Sequence, residues 1–227
     1  MTTQGPGLAT PDPTLSAWYP EFLAALVAGD RRQCETLTEQ VVDAGVPILT
    51  IYQELFQRAL YQVGEDWECN RISVGIEHLA TAIVEGLLNR LYPQVIAPHR
   101  VGRRVLIASV EGELHQVGAK MACDVFEMHG WDTLYLGADT PTSELLRTLR
   151  ELRPDAVGLS LSVNFHLSTL AAAIKAIRAA FPDLPMVIGG QGLRQVGPTR
   201  MPTLVDDPQV HYVTDLDDLE RVIASLG

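Results

Sequence analysis

What this chain has little of narrows it first. It carries only three cysteines, Cys34, Cys69 and Cys123, an odd number set far apart. Such a set makes no disulfide framework, and with no export signal they read as reduced thiols of a cytoplasmic protein, Cys123 on a buried helix face. Positive charge is scarce too: 17 Lys and Arg against 28 Asp and Glu leave a net charge of −11. No basic block exists to neutralise phosphates, which argues against nucleic acid as a direct partner. No apolar run reaches membrane-spanning length, so no membrane is expected. The start, MTTQGPGLATPDP, lacks the basic region and apolar core of a signal peptide. What remains, 47% apolar and 20% charged residues, describes an ordinary globular protein, long enough for one large domain or two small ones.

Proline and small polar residues fill the start, and residues 1–14 are expected to be a disordered tail. Residues 15–92 read as helices throughout. Phe22, Leu23, Leu26 and Val27 share one face, and Gly29-Asp30 ends that helix. Leu37, Val41 and Val42 mark a second, closed by Gly45. Pro47 suits a helix start, and Ile48, Ile51, Tyr52, Leu55, Phe56, Ala59 and Leu60 form a third stripe. The fourth is Ile76, Leu79, Ala80, Ile83, Val84, Leu87, Leu88 and Leu91. Four amphipathic helices with short connections predict a four-helix bundle. Residues 93–104, with two prolines and a glycine, read as a linker.

Beyond it the pattern alternates. The apolar runs Val105–Val110, Thr133–Leu136, Ala156–Leu161, Met186–Ile188 and His211–Val213 are each followed by a helical or glycine-rich stretch. Residues 105–227 therefore predict a flavodoxin- or Rossmann-like α/β domain with a five-stranded parallel sheet. Ligands bind beyond the carboxyl ends of such strands. In a 2-1-3-4-5 order the ends of the first, third and fourth strands are neighbours.

Those ends carry the polar chemistry. The first opens into Glu111-Gly-Glu-Leu-His-Gln-Val-Gly118, the third ends at Ser160-Leu161-Ser162, and the fourth at Gly189-Gly190. A histidine two residues after a carboxylate has the parts of a metal ligand: one ring nitrogen binds metal while Glu113 fixes the proton on the other. A lone loop histidine is more often a hydrogen-bonded surface residue, and Gly189-Gly190 alone is compatible with a simple turn. Gly118 would let a bulky group approach the backbone.

Together the three ends carry a resemblance. The acid-x-His-x-x-Gly loop, forty-one residues, Ser-x-x, twenty-six residues and Gly-Gly closely resemble the cobalamin-binding domain of corrinoid proteins. The resemblance implies cobalamin bound base-off and His-on, with His115 as the lower axial ligand of cobalt and Glu113 as its partner. It further implies cofactor contacts from Gln116, Val117 and Gly118, with Ser160 and Ser162 at the buried nucleotide tail and Gly189 and Gly190 making room for it.

The bundle adds a second resemblance. Trp67, nine residues, then Glu77-His78 looks like the signature of adenosylcobalamin light sensors of the CarH type. It implies a helical cap over the cofactor's upper face, with Trp67 against the adenosyl group and Glu77 and His78 as polar contacts nearby or at a subunit interface. By helical geometry neither Glu77 nor His78 faces the bundle core. Two departures stand out: Glu68 occupies the place where the family often has a second histidine, and the DNA-binding helices have no counterpart in residues 1–14. The chain is therefore expected to be a non-enzymatic sensor acting as a homo-oligomer, most simply a dimer, with a separate downstream partner. Similar stand-alone sensors include photocobilins, which take a bilin such as biliverdin as second chromophore. The rival expectation is a corrinoid carrier of a methyltransferase system. Against it stand Glu113 where carriers commonly have Asp, Gln116 where they have a further Asp, and the Trp67 signature.

Overall fold

The computed structural model describes residues 15–196 and 207–226; the expected tail at 1–14 lies outside the described residues. The chain forms two compact units, one ending at Leu91 and the other beginning at Tyr92.

The first unit is helical. Tyr19–Ala28 ends at Gly29, whose φ of 72° closes the helix in the left-handed region. Arg31–Asp43 follows, its first turn capped by the Asp30 carboxylate accepting from the Gln33 amide. The third helix runs over residues 48–68 as Ile48–Thr50, a π-helical stretch Ile51–Gln57, and Arg58–Glu68. The π stretch escapes a reading of periodicity because Ile51, Tyr52, Leu55 and Phe56 share one side, and all four are buried. Phe56 stacks on both Phe22 and Tyr52. The fourth helix, Val74–Val95, buries Ala80, Ile83, Val84, Leu87, Leu88 and Leu91. Leu79, expected in that stripe, is exposed. It lies over Gly29, where a Cβ would come within 2.5 Å of its Cδ2.

That helix continues through Pro93 to Val95, so the connection is shorter than the expected 93–104. The rest is attached to the second unit. The Ala97 amide donates to the Glu127 carbonyl (3.1 Å) and Val101 to Gly130 (2.9 Å), while Arg100 pairs with the buried Glu127 carboxylate. Pro98 and Gly102 mark the absence of regular structure there, but not looseness.

The second unit is a five-stranded sheet, all parallel, in the order β2-β1-β3-β4-β5. The strands are β1 Arg104–Val110, β2 Asp132–Thr140, β3 Ala156–Ser160, β4 Met186–Gly189 and β5 Val210–Tyr212. β3 is buried along its whole length and β1 along all but its first residue, as expected of strands covered on both faces. On one face Leu106, Ala108 and Val110 join a core with Leu145 and Leu149 of helix Thr142–Leu152, and Leu170, Ile174 and Ile177 of helix Leu167–Ala180. Helix Val117–Met128 packs on the sheet and on Leu216–Leu226. The strand order reverses between β1 and β3, and a crevice opens at such a point. Among the described residues no helix is long and apolar enough to cross a membrane.

Candidate functional site

The loop after β1 turns at Gly112, φ 83°, and the Glu113 amide donates back to the Val110 carbonyl at 2.9 Å. This tucks the Glu113 side chain under the loop, where only 1% of it is exposed. A carboxylate so buried must find donors, and it finds them on both sides. One oxygen accepts from the His115 amide at 3.0 Å and lies 2.5 Å from His115 Nδ1. The other accepts from the amides of Ser162 and Val163, both at 2.9 Å. Burial opposes its ionisation, but the His115 ring and the three amides outweigh burial and bring its pKa down to about 2.

The charge at Glu113 decides the state of His115. An ionised carboxylate only accepts, so Nδ1 carries the proton and Nε2 is the nitrogen with the lone pair suited to a metal. The ring is 56% exposed while its partner is not, and the Ser109 hydroxyl donates to the His115 carbonyl at 3.0 Å. A ligand is thus presented outward from a fixed base.

The strand ends converge as expected for β1 and β3, since Glu113 is hydrogen-bonded across the gap to residues 162 and 163. Ser160 closes β3 and is buried. Ser162 contributes its amide to Glu113. Gln116 precedes helix Val117–Met128, its carbonyl accepting from the Tyr135 hydroxyl at 3.2 Å. At Gly118 a Cβ would meet nothing within 4 Å. Space, not protein, adjoins it. Gly190 is different: its φ is 118° and a Cβ would lie 2.3 Å from the Leu161 carbonyl oxygen. At Gly189 it would lie 2.7 Å from Val213. The fold itself demands Gly190, whereas a side chain at Gly189 would have to displace a Val213 methyl.

Two contributors escaped the sequence. The Val163 amide has no side-chain signature. Asp139, near the end of β2, accepts from the Gly112 amide at 2.8 Å. His166, whose nearness to Ser162 in sequence makes it readable as a loop residue or as a polar group of the site, lies over Gly112, where a Cβ would be 2.9 Å from its ring. Leu114, Val163 and Phe165, from the same two loops, are apolar and exposed, Leu114 at 72% and Phe165 at 82%.

In the helical unit, Trp67 is exposed near the end of Arg58–Glu68. His78 Nδ1 lies 2.6 Å from the Glu77 carboxylate, which also accepts from the Thr81 hydroxyl at 3.0 Å. His78 is 73% exposed and Glu77 half-buried, so both lie off the core-facing stripe.

Among the described residues no three His, Cys, Asp or Glu side chains converge to cage a bare cation. A metal held in the plane of a macrocycle needs one outward imidazole with a fixed tautomer and apolar neighbours. His115 would be that single donor, with Leu114, Val163 and Phe165 as exposed apolar neighbours on the same two loops.

Two family profiles, each described as a B12 binding domain, match residues 19–92 and 103–208. The chain is 30% identical over 184 residues to the HTH-type transcriptional repressor CarH of Myxococcus xanthus, covering 80% of this chain and 60% of that protein. It is 22% identical over 144 residues to trimethylamine corrinoid protein 1 of Methanosarcina acetivorans, covering 60% of this chain and 64% of that one. The chain thus spans less than two thirds of the length of these relatives. In fold it is similar to the Methanosarcina barkeri monomethylamine corrinoid protein, with a TM-score of 0.77 at 14% identity, covering 94% of this chain and 100% of the other. The two matched segments take up most of the chain, and this protein belongs to the family of B12-binding domains they describe.

Proposed function

We propose that this protein is a light sensor carrying adenosylcobalamin, with His115 beneath cobalt in place of the cofactor's own base. The observation that carries the reading is the Glu113–His115 pair, an exposed imidazole whose tautomer is set by a buried carboxylate held well below the usual carboxylate pKa range. Bound there, the cofactor supplies a cobalt–carbon bond that visible light breaks. The chain's own part is to hold and to respond. His115 Nε2 offers its lone pair upward while Glu113 keeps the proton on Nδ1. Leu114, Val163 and Phe165 exclude water around that nitrogen, and Ser160 offers its hydroxyl to the nucleotide tail. Gln116, Val117 and Gly118 line the approach, with Gly189 and Gly190 beside the tail. Trp67 is proposed to pack on the adenosyl group, with Glu77 and His78 as polar contacts on that side. When the packed group leaves, the contact that favoured one conformation is lost, and this is the signal.

The similarity to CarH supports the sensing role. We further propose that the protein works in the cytoplasm as a homo-oligomer, most simply a dimer, without catalytic turnover, and passes its state to a downstream partner. A bilin is compatible as second chromophore. A second reading, a corrinoid carrier in methyl transfer, is favoured by the similarity to the trimethylamine corrinoid protein. Absorbance and molecular mass of the adenosylcobalamin-loaded protein, before and after green light, separate them. Sensing predicts a change in both; an unchanged mass together with methyl transfer in the dark supports the carrier. In either reading His115→Ala loses the axial-nitrogen spectrum, and retention of that spectrum by this variant overturns both.

A further inference from the structure

We infer that Asp139 is a positioning residue for the axial histidine: a double bulge at the end of β2 aims it at the Glu111–Glu113 segment and clamps that segment in place. This rests on the reading of His115 as the ligand of cobalt. The first observation is one of register. Along β1 and β2, Ile107 faces Tyr135, Ala108 faces Gly137 and Val110 faces Thr140, so β2 gains a residue twice within one short stretch. Bulges of this kind bend a strand and re-aim its side chains, and they concentrate beside functional sites.

The second observation is backbone strain. Among the described residues three non-glycines have positive φ: Asn70, Asp139 and Arg153. Arg153 caps helix Thr142–Leu152, and the Asn70 amide closes the helix before it by donating to the Trp67 carbonyl. Left-handed residues are ordinary at helix ends. Asp139, at φ 47°, lies inside a strand, where the conformation persists only if its surroundings hold it.

The third observation is what holds it. The Asp139 carboxylate accepts from the Gly112 amide at 2.8 Å, and the Asp139 amide donates to the Glu113 carbonyl at 2.9 Å. Just beyond, the Thr142 amide donates to the Glu111 carboxylate at 3.3 Å. Residues 111, 112 and 113 are therefore each tied to the β2 end, directly before the histidine they carry. Glu113 orients the ring; Asp139 orients Glu113.

The test separates carboxylate from backbone. Asp139→Gly keeps the left-handed conformation and the amide but removes the acceptor, whereas Asp139→Asn keeps both. Two measurements are made: amide exchange of residues 111–116 in the cobalamin-free protein, and the axial-nitrogen hyperfine splitting of bound cobalt(II) cobalamin. Expected in Asp139→Gly are exchange about fivefold faster and a population lacking nitrogen splitting, with Asp139→Asn restoring both. Parent-like exchange and splitting in Asp139→Gly overturns the proposal. If Asp139→Gly does not fold, the parent decides: its Gly112 and Asp139 amides exchange at least about tenfold slower than free chain, and free-chain rates overturn the clamp. His115→Ala, run alongside, tests the ligand assignment separately. Nitrogen splitting that survives in it refutes the cobalt reading, while the exchange data still judge the clamp.

Discussion

Among the described residues two histidines hold a glutamate carboxylate against Nδ1, and the two pairs differ in everything except that contact. Glu113 lies 2.5 Å from His115 Nδ1, and Glu77 lies 2.6 Å from His78 Nδ1. Glu77 takes one further donor, the Thr81 hydroxyl, from the same helix surface. Glu113 takes three backbone amides from two strand ends and is nearly sealed from water. A carboxylate held by backbone from several elements cannot turn away, and its charge survives to a pH of about 2. One on an exposed helix is screened by water and salt, and its partner is free to rotate. The comparison teaches that the surroundings of the acid, more than the acid–imidazole contact, prepare an imidazole for a metal.

Glu113→Gln breaks the stronger pair and is expected to have the largest effect. The amide can still accept from the Ser162 and Val163 amides with its oxygen. Its NH2 then faces the His115 amide and ring, donor against donor. His115 keeps that contact by moving its proton to Nε2, which removes the lone pair from the nitrogen proposed to hold cobalt. Chemical denaturation should show a loss of about 3 kcal/mol, and cobalamin titration a large loss of affinity. A variant as stable and as tightly binding as the parent would make the two pairs equivalent after all.

The same carboxylate sets a pH window in the cobalamin-free protein. Its folded pKa, about 2, lies below the ordinary 4.5, so the folded state binds its proton less readily than the unfolded chain. Its stabilisation is complete above the ordinary carboxylate range and is lost as pH falls toward 2. Denaturation midpoints measured from pH 6 downward should fall less steeply in Glu113→Gln than in the parent.

Ser109→Ala should cost less, about 1 kcal/mol. It removes the hydroxyl that holds the His115 carbonyl at 3.0 Å from a buried position. Because Glu113 stays in place, affinity for cobalamin should fall far less than in Glu113→Gln. Equal losses would show that the backbone anchor matters as much as the carboxylate.

Much of this was legible in the sequence, and the reasons differ by element. The five strands follow from apolar runs that alternate with helical stretches, and the 2-1-3-4-5 order is the one expected of a doubly wound sheet of that kind. Glu113 and His115 were readable because their spacing is local, two residues on one loop. What escaped depends on chain segments meeting: the Val163 amide, the bulged register of β2, and Asp139 in a left-handed conformation that only the assembled loops stabilise. Gly118 and Gly190 looked alike on paper, each a place for a ligand to approach. In the fold, Gly118 adjoins open space while Gly190 avoids the Leu161 backbone. Leu79 was misplaced because a helical stripe does not say where the core begins along its length.

The smallest effect belongs to the weaker pair. Glu77→Gln keeps the half-buried volume and leaves an oxygen for the Thr81 hydroxyl, and its lost contact with His78 is exposed. Surface ion pairs contribute little, so denaturation of the cobalamin-free protein should shift by no more than about 0.5 kcal/mol. His78→Ala should do the same, since its ring is largely in water and only its contact with Glu77 is lost. If either residue meets the cofactor, its loss will appear only in the loaded protein, as a changed spectrum or altered response to light. A variant that destabilises the empty protein by several kcal/mol would instead give this pair the structural standing of Glu113 and His115, and the distinction between them would fall.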